Sequence, residues 1–137
     1  MSLARTTVVR ALAVWLLIVA AEVVHGIARS LWLEPRVGDF RARQIAVFTG
    51  SAMILTIALV FTRWIGARGF RQLLGVGLLW LALMLGFEIL LGHFAFGYSW
   101  ERIASDYDLL QGGLLPIGMA ILTLAPLVAA GIRRPAV

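Results

Sequence analysis

Four long apolar stretches set the pattern of the chain: about Val8–Leu31, Ile45–Ile65, Leu73–Ala95 and Leu109–Ala130. A run of about 20 apolar residues crosses a hydrocarbon core of roughly 30 Å as a helix that satisfies its own backbone hydrogen bonds. The pattern therefore predicts an all-α integral membrane protein, a single transmembrane domain over residues 1–137. Its four helices should form a compact up-down bundle with short connections. Between the third and fourth runs, Ser99 followed by Glu101 and Arg102 predicts a short interfacial helix over about 99–107, with Ser99 as N-cap. Trp32 to Gln44, with Pro35 and Gly38 amid charges, reads as an interfacial loop. The first run is expected to be a retained membrane helix rather than a signal peptide, although Arg5 and Arg10 precede it. It contains Glu22, is too long for such a core, and has no clear small-x-small site before Arg29.

Composition agrees with the pattern. The chain is 61% hydrophobic and only 14% charged, which excludes an ordinary soluble domain. With no cysteine, thiolate catalysis and Cys-based zinc sites are excluded too. A net charge of +5 would suggest nucleic acid in a soluble chain. Here every basic residue is arginine and sits near the end of an apolar run, so the charges orient helices instead. Arg5, Arg10, Arg63, Arg68, Arg71, Arg133 and Arg134 fall on one side with no acid. Arg29, Arg36, Arg41, Arg43 and Arg102 fall on the other, diluted by five acids. The expectation is a multi-pass protein of the bacterial inner (cytoplasmic) membrane with both termini cytoplasmic, in contact with lipid and with no nucleic-acid partner.

Candidate chemistry begins with Glu22, His25 and Arg29, which share one helical face. Glu88 stands alone in the third run. A charged side chain at membrane depth costs about 2.5–3.5 kcal/mol and is driven toward the bundle interior and a partner. The expected site is a polar cluster in the outer half, made by Glu22, His25, Arg29, Glu88, Gln44 and Gln111, that binds an ion or small ligand. The plainer alternative is that both glutamates are hydrogen-bonded and only fix helix register. Trp100, Asp106 and Tyr107 are candidates for a lid over the cluster, or belong to an amphipathic helix on the surface. No resident cofactor is expected. Two exceptions are open: a single divalent ion on Glu22, His25 and Glu88, and a haem held between His25 and His93. Ser99 and Ser105 have no histidine in local register, so nothing supports an enzyme.

Three further features bear on packing. Ala42, Ala46 and Gly50 make a small-residue stripe on the second helix, suited to close helix approach. Turned to lipid, it would fit an accessory subunit lying against a larger membrane complex, or self-association. Pro116 and Pro126 should bend the fourth helix. The halves also echo each other: Trp15 and Glu22 in Trp80 and Glu88, Gly26 in Gly92, and Gln44 with Thr56 in Gln111 with Thr123. This suggests parallel duplication of a two-helix hairpin, with Glu22 and Glu88 at similar depth.

Residues Leu78-Leu79-Trp80 through Phe87-Glu88, Gly92-His93, Ser99-Trp100-Glu101, Asp106-Tyr107 and Pro126 resemble a family of small bacterial four-helix inner-membrane proteins of uncharacterised function. His25-Gly26-Ile27-Ala28-Arg29 resembles the opening of the family's first loop, where Asn-Gly commonly stands. The chain departs from the pattern at Asp108 and Gly113, where the family has asparagine and arginine. The resemblance implies a membrane location and four helices but supplies no activity. The readings carried forward are a ligand- or ion-binding membrane protein (a minor transporter or channel), an accessory subunit, and a haem-bearing redox protein.

Overall fold

The computed structural model describes residues 5–132, so Arg133 and Arg134 of the charge pattern lie outside the described residues. The protein is all-α, with four helices long and apolar enough to cross a membrane. These are α1 (Arg5–Val37), α2 (Asp39–Ile65), α3 (Gly69–Ala95) and α5 (Leu115–Ile132). A short helix α4 (Trp100–Tyr107) and a single 3-10 turn (Leu109–Gln111) connect α3 to α5.

Contacts between the helices fix their relative directions. His25 meets Thr49, and the Arg10 guanidinium donates to the Trp64 carbonyl at 2.8 Å, so α1 and α2 run antiparallel. The Trp80 indole N–H donates to the Ala11 carbonyl at 2.9 Å and Trp15 meets Phe87 edge-on, so α3 runs parallel to α1. Gln44 reaches the Gly112 carbonyl and Gly118 faces Val47 and Ser51, so α5 runs parallel to α2. Helix α5 packs on both α2 and α3, and α1 packs mainly on α2. The core follows helical spacing: Ala11, Val14 and Ile18 on α1, Ile54 and Ala58 on α2, Val76, Trp80 and Met84 on α3, and Leu122, Ala125 and Ala129 on α5. Large apolar side chains such as Leu16, Val24 and Phe48 point outward, as a lipid solvent permits.

Several expectations are corrected. The segment expected as a loop from Trp32 is helical. Arg29–Leu33 widens into a π-turn, with the Glu34 N–H bonding the Arg29 carbonyl, and α1 continues to Val37. Only Gly38 breaks the path, at φ +90°, a conformation that side chains disfavour. Backbone near membrane depth must bond itself, which favours helix over open loop. The fourth membrane helix begins at Leu115 rather than near 109. Pro116 consequently sits in its first turn, where the missing N–H costs nothing and no bend is required; Pro126 alone is interior. The small-residue stripe faces inward: Ala42 and Gly50 are buried and Ala46 lines a cavity, so it is not offered to a laterally bound partner.

Candidate functional site

The cavity lies between α1, α2, α3 and α5 at the end of the bundle carrying α4, with a volume of about 220 Å³. Glu22 and His25 reach it from α1, which packs mainly on α2. A Cβ on Gly50 would stand 3.1 Å from a Glu22 carboxylate oxygen and 3.5 Å from the His25 ring. Glycine at 50 thus makes the room into which Glu22 folds. His25 Nε2 and the Thr49 hydroxyl are 2.6 Å apart, which holds that ring. Seven residues beyond Glu22, at the start of the π-turn, Arg29 lines the same cavity.

Helix α4 closes the other end. Ser99 caps it, its hydroxyl accepting from the Arg102 N–H at 3.1 Å. The helix is clasped to α2 by an alternating set of charges. Arg102 donates both terminal nitrogens to the Asp39 carboxylate, at 2.9 and 3.2 Å. Arg43 reaches Asp39 at 3.0 Å and also bonds Asp106. A bidentate pair of this kind fixes orientation as well as distance. Gln44 donates to the Gly112 carbonyl at 2.7 Å, tying the following turn to α2 as well. Gly113 lets that turn approach α4, since a Cβ there would overlap the Ser105 carbonyl oxygen at 2.1 Å.

Four buried side-chain donors have no hydrogen-bond partner among the described residues: Trp15 Nε1, Arg29 Nε, Arg43 Nε and the Tyr107 hydroxyl. The last three belong to residues lining the cavity. Burial, and then the negative charges of Glu88 and Asp106, push the Tyr107 phenol up to about 12, so it keeps its proton as a donor. Burial also raises the Asp106 carboxyl above its ordinary value, outweighing the opposing charge of and hydrogen bond from Arg43 and the charges of Arg102 and Arg29. Neither Glu22 nor Glu88 makes a hydrogen bond or an ion pair within 4.0 Å among the described residues.

Of the residues the sequence nominates, Glu22, His25, Arg29, Gln44 and Glu88 line this one cavity. Gln111 does not: it lies exposed in the 3-10 turn, and the neighbouring Gly112 carbonyl meets Gln44 instead. Asp106 and Tyr107 line the cavity, whereas Trp100 stands outside it, stacked on His93 at 3.8 Å. His93 also contacts the Tyr98 carbonyl oxygen through Nδ1 at 2.9 Å, so His25 and His93 do not face a common space. Among the described residues no three of His, Asp and Glu converge as a metal site, and the trio Glu22, His25 and Glu88 is not assembled as one. The sequence reading missed the clasp. Its signal was present as Asp39-x-x-x-Arg43 and Arg102-x-x-x-Asp106, two i, i+4 pairs of reversed sign.

No protein-family model, curated protein or solved structure matches the chain.

Proposed function

We propose that the protein binds a small polar ligand or ion in this cavity, as a minor transporter or channel of the bacterial inner membrane. In this reading the four helices are an up-down bundle with both termini cytoplasmic, the cavity opens toward the outer half, and α4 is its lid. The observation that carries the reading is one cavity bordered by two glutamates, an arginine and a tyrosine that do not bond one another. Groups that served only helix register would be satisfied by one another, because an unpaired polar group in a low-dielectric interior costs about 1–3 kcal/mol. The orientation rests on arginine placement: Arg10, Arg63, Arg68 and Arg71 lie at the end opposite α4, with Arg10 over the Trp64 ring. Wide π-turns, of the kind found at Arg29 and again at Leu91–Ala95, are frequent at functional sites.

The test is thermal unfolding of the full chain in detergent, with sodium, ammonium, phosphate and small amino acids as probes. At least one should raise the Tm of the wild type. Glu22→Gln and Glu88→Gln should each remove that rise while keeping the basal Tm within a few degrees. Loss of the fold in both variants would mean the cluster is structural, and the reading would fail.

A further inference from the structure

We infer that the ligand is a small free zwitterion carrying an ammonium group and an oxyanion, held with the ammonium toward the membrane centre. This rests on the cavity being a ligand site and names the chemistry that site would take.

The argument is one of matching unmet groups. The acceptors are Glu22, set against Gly50 and seven residues nearer the middle of α1 than Arg29, and Glu88, which lines the same cavity from α3. The donors are the Arg29 guanidinium and Arg43 Nε toward the α4 end, and the Tyr107 hydroxyl, whose ring also reaches Leu81 and Leu85 of α3. Arg43 and Arg102 are already committed to Asp39 and Asp106, so of the three arginines lining the cavity Arg29 is the one that makes no hydrogen bond or ion pair with any described residue. It makes no ion pair with Glu22 in this structure. Seven residues along a helix separate the two by roughly 10 Å, although they share a face. A metal ion or ammonium alone would satisfy the glutamates and leave Arg29 and Arg43 Nε unmet, since a guanidinium has no acceptor with which to ligate a cation. An anion alone would satisfy the donors and leave both carboxylates unmet. A molecule with both ends answers both halves.

Size and polarity narrow the class. A volume of about 220 Å³ exceeds the ~150 Å³ that holds benzene, so an amino acid or phosphoethanolamine is of the right scale. A zwitterionic phospholipid offers the same pair of charges in the opposite order. Its phosphate lies on the acyl side of the ammonium, whereas along α1 the acceptor Glu22 lies nearer the membrane centre than the donor Arg29. The order of charges therefore favours a free solute entering past α4.

Calorimetric titration of the full chain, in nanodiscs of phosphatidylglycerol, tests this with γ-aminobutyrate and O-phosphoethanolamine against acetate, inorganic phosphate and methylammonium. At least one zwitterion should bind tenfold or more tighter than each single-charge probe. Arg29→Gln should lose that advantage and keep methylammonium binding, and Glu88→Gln should lose it and keep binding of the anions. The wild-type comparison alone decides the matter if a variant fails to fold. Methylammonium, acetate or inorganic phosphate binding as tightly as both zwitterions would overturn the inference and leave the ion-site reading standing. No binding by any probe would remove both. If phosphatidylethanolamine added to the discs displaces the free zwitterions, the lipid headgroup is the occupant and the free-solute source is wrong.

Discussion

Two glycines of one helix should respond in opposite ways to the same substitution. At Gly77 on α3, a Cβ would stand 1.8 Å from the Thr123 carbonyl oxygen and 2.8 Å from its carbon, both backbone atoms of α5. No rotamer change relieves that contact. The helices would have to part by roughly 1.5 Å, and a gap of 0.5–1 Å already forfeits a quarter to a half of each neighbouring van der Waals contact. The loss falls on Val76, Trp80, Leu122 and Ala125, the centre of the core. Lipid supplies no hydrophobic force to hold separated helices together, so packing carries their association. Gly77→Ala should cost about 3 kcal/mol, the upper end for overpacking, even after a gain of about 0.5–1 kcal/mol in helix propensity. At Gly86, nine residues along, a Cβ meets nothing within 4 Å. There only the propensity term acts, so Gly86→Ala should be neutral or stabilising by up to about 1 kcal/mol. Equilibrium unfolding in mixed micelles with sodium dodecyl sulfate, followed by circular dichroism, reads both. Equal stability of the two variants would refute the close α3–α5 approach.

The clasp should respond to acid. Burial raises the Asp106 carboxyl, so the folded state takes up this proton at higher pH than the unfolded chain. On this group's account stability rises as pH falls through that window, while the ion pair to Arg43 is lost. Amide exchange in residues 101–107, corrected for its intrinsic pH dependence, should quicken on acidification without a lower Tm; Asp106→Asn should reproduce this at neutral pH. The change should be roughly fivefold at most, since partly exposed ion pairs contribute about 0.2–1 kcal/mol; unchanged protection would count against the lid. Trp80→Phe removes the indole donor to Ala11 from a fully buried position and should cost about 0.5–1.5 kcal/mol in the same unfolding assay. A C-terminal green fluorescent protein fusion should be bright and a periplasmically active phosphatase fusion silent. The reverse would invert the orientation.

The number of helices long and apolar enough to cross a membrane was legible in the sequence, because lipid imposes a length and an apolar composition on any span and both are local properties. So was the shared face of Glu22, His25 and Arg29, since helical periodicity alone aligns them. The same reasoning placed Glu88 in the interior, because the cost of ionisable groups in hydrocarbon does not depend on the fold. Tertiary structure decided the rest. That Gly77 lies against Thr123, or Gly50 against Glu22, depends on how four nearly featureless apolar surfaces interlock, and no local pattern encodes that. The clasp joins residues 63 positions apart, Asp39 with Arg102 and Arg43 with Asp106, so its two charge patterns acquired meaning only when α4 was laid across α2. Gln111 went astray for the same reason: the turn before α5 presented a backbone carbonyl to Gln44 and left the side chain outside. Local physics put polar groups inside the bundle, and packing decided which of them met and which were left unpaired.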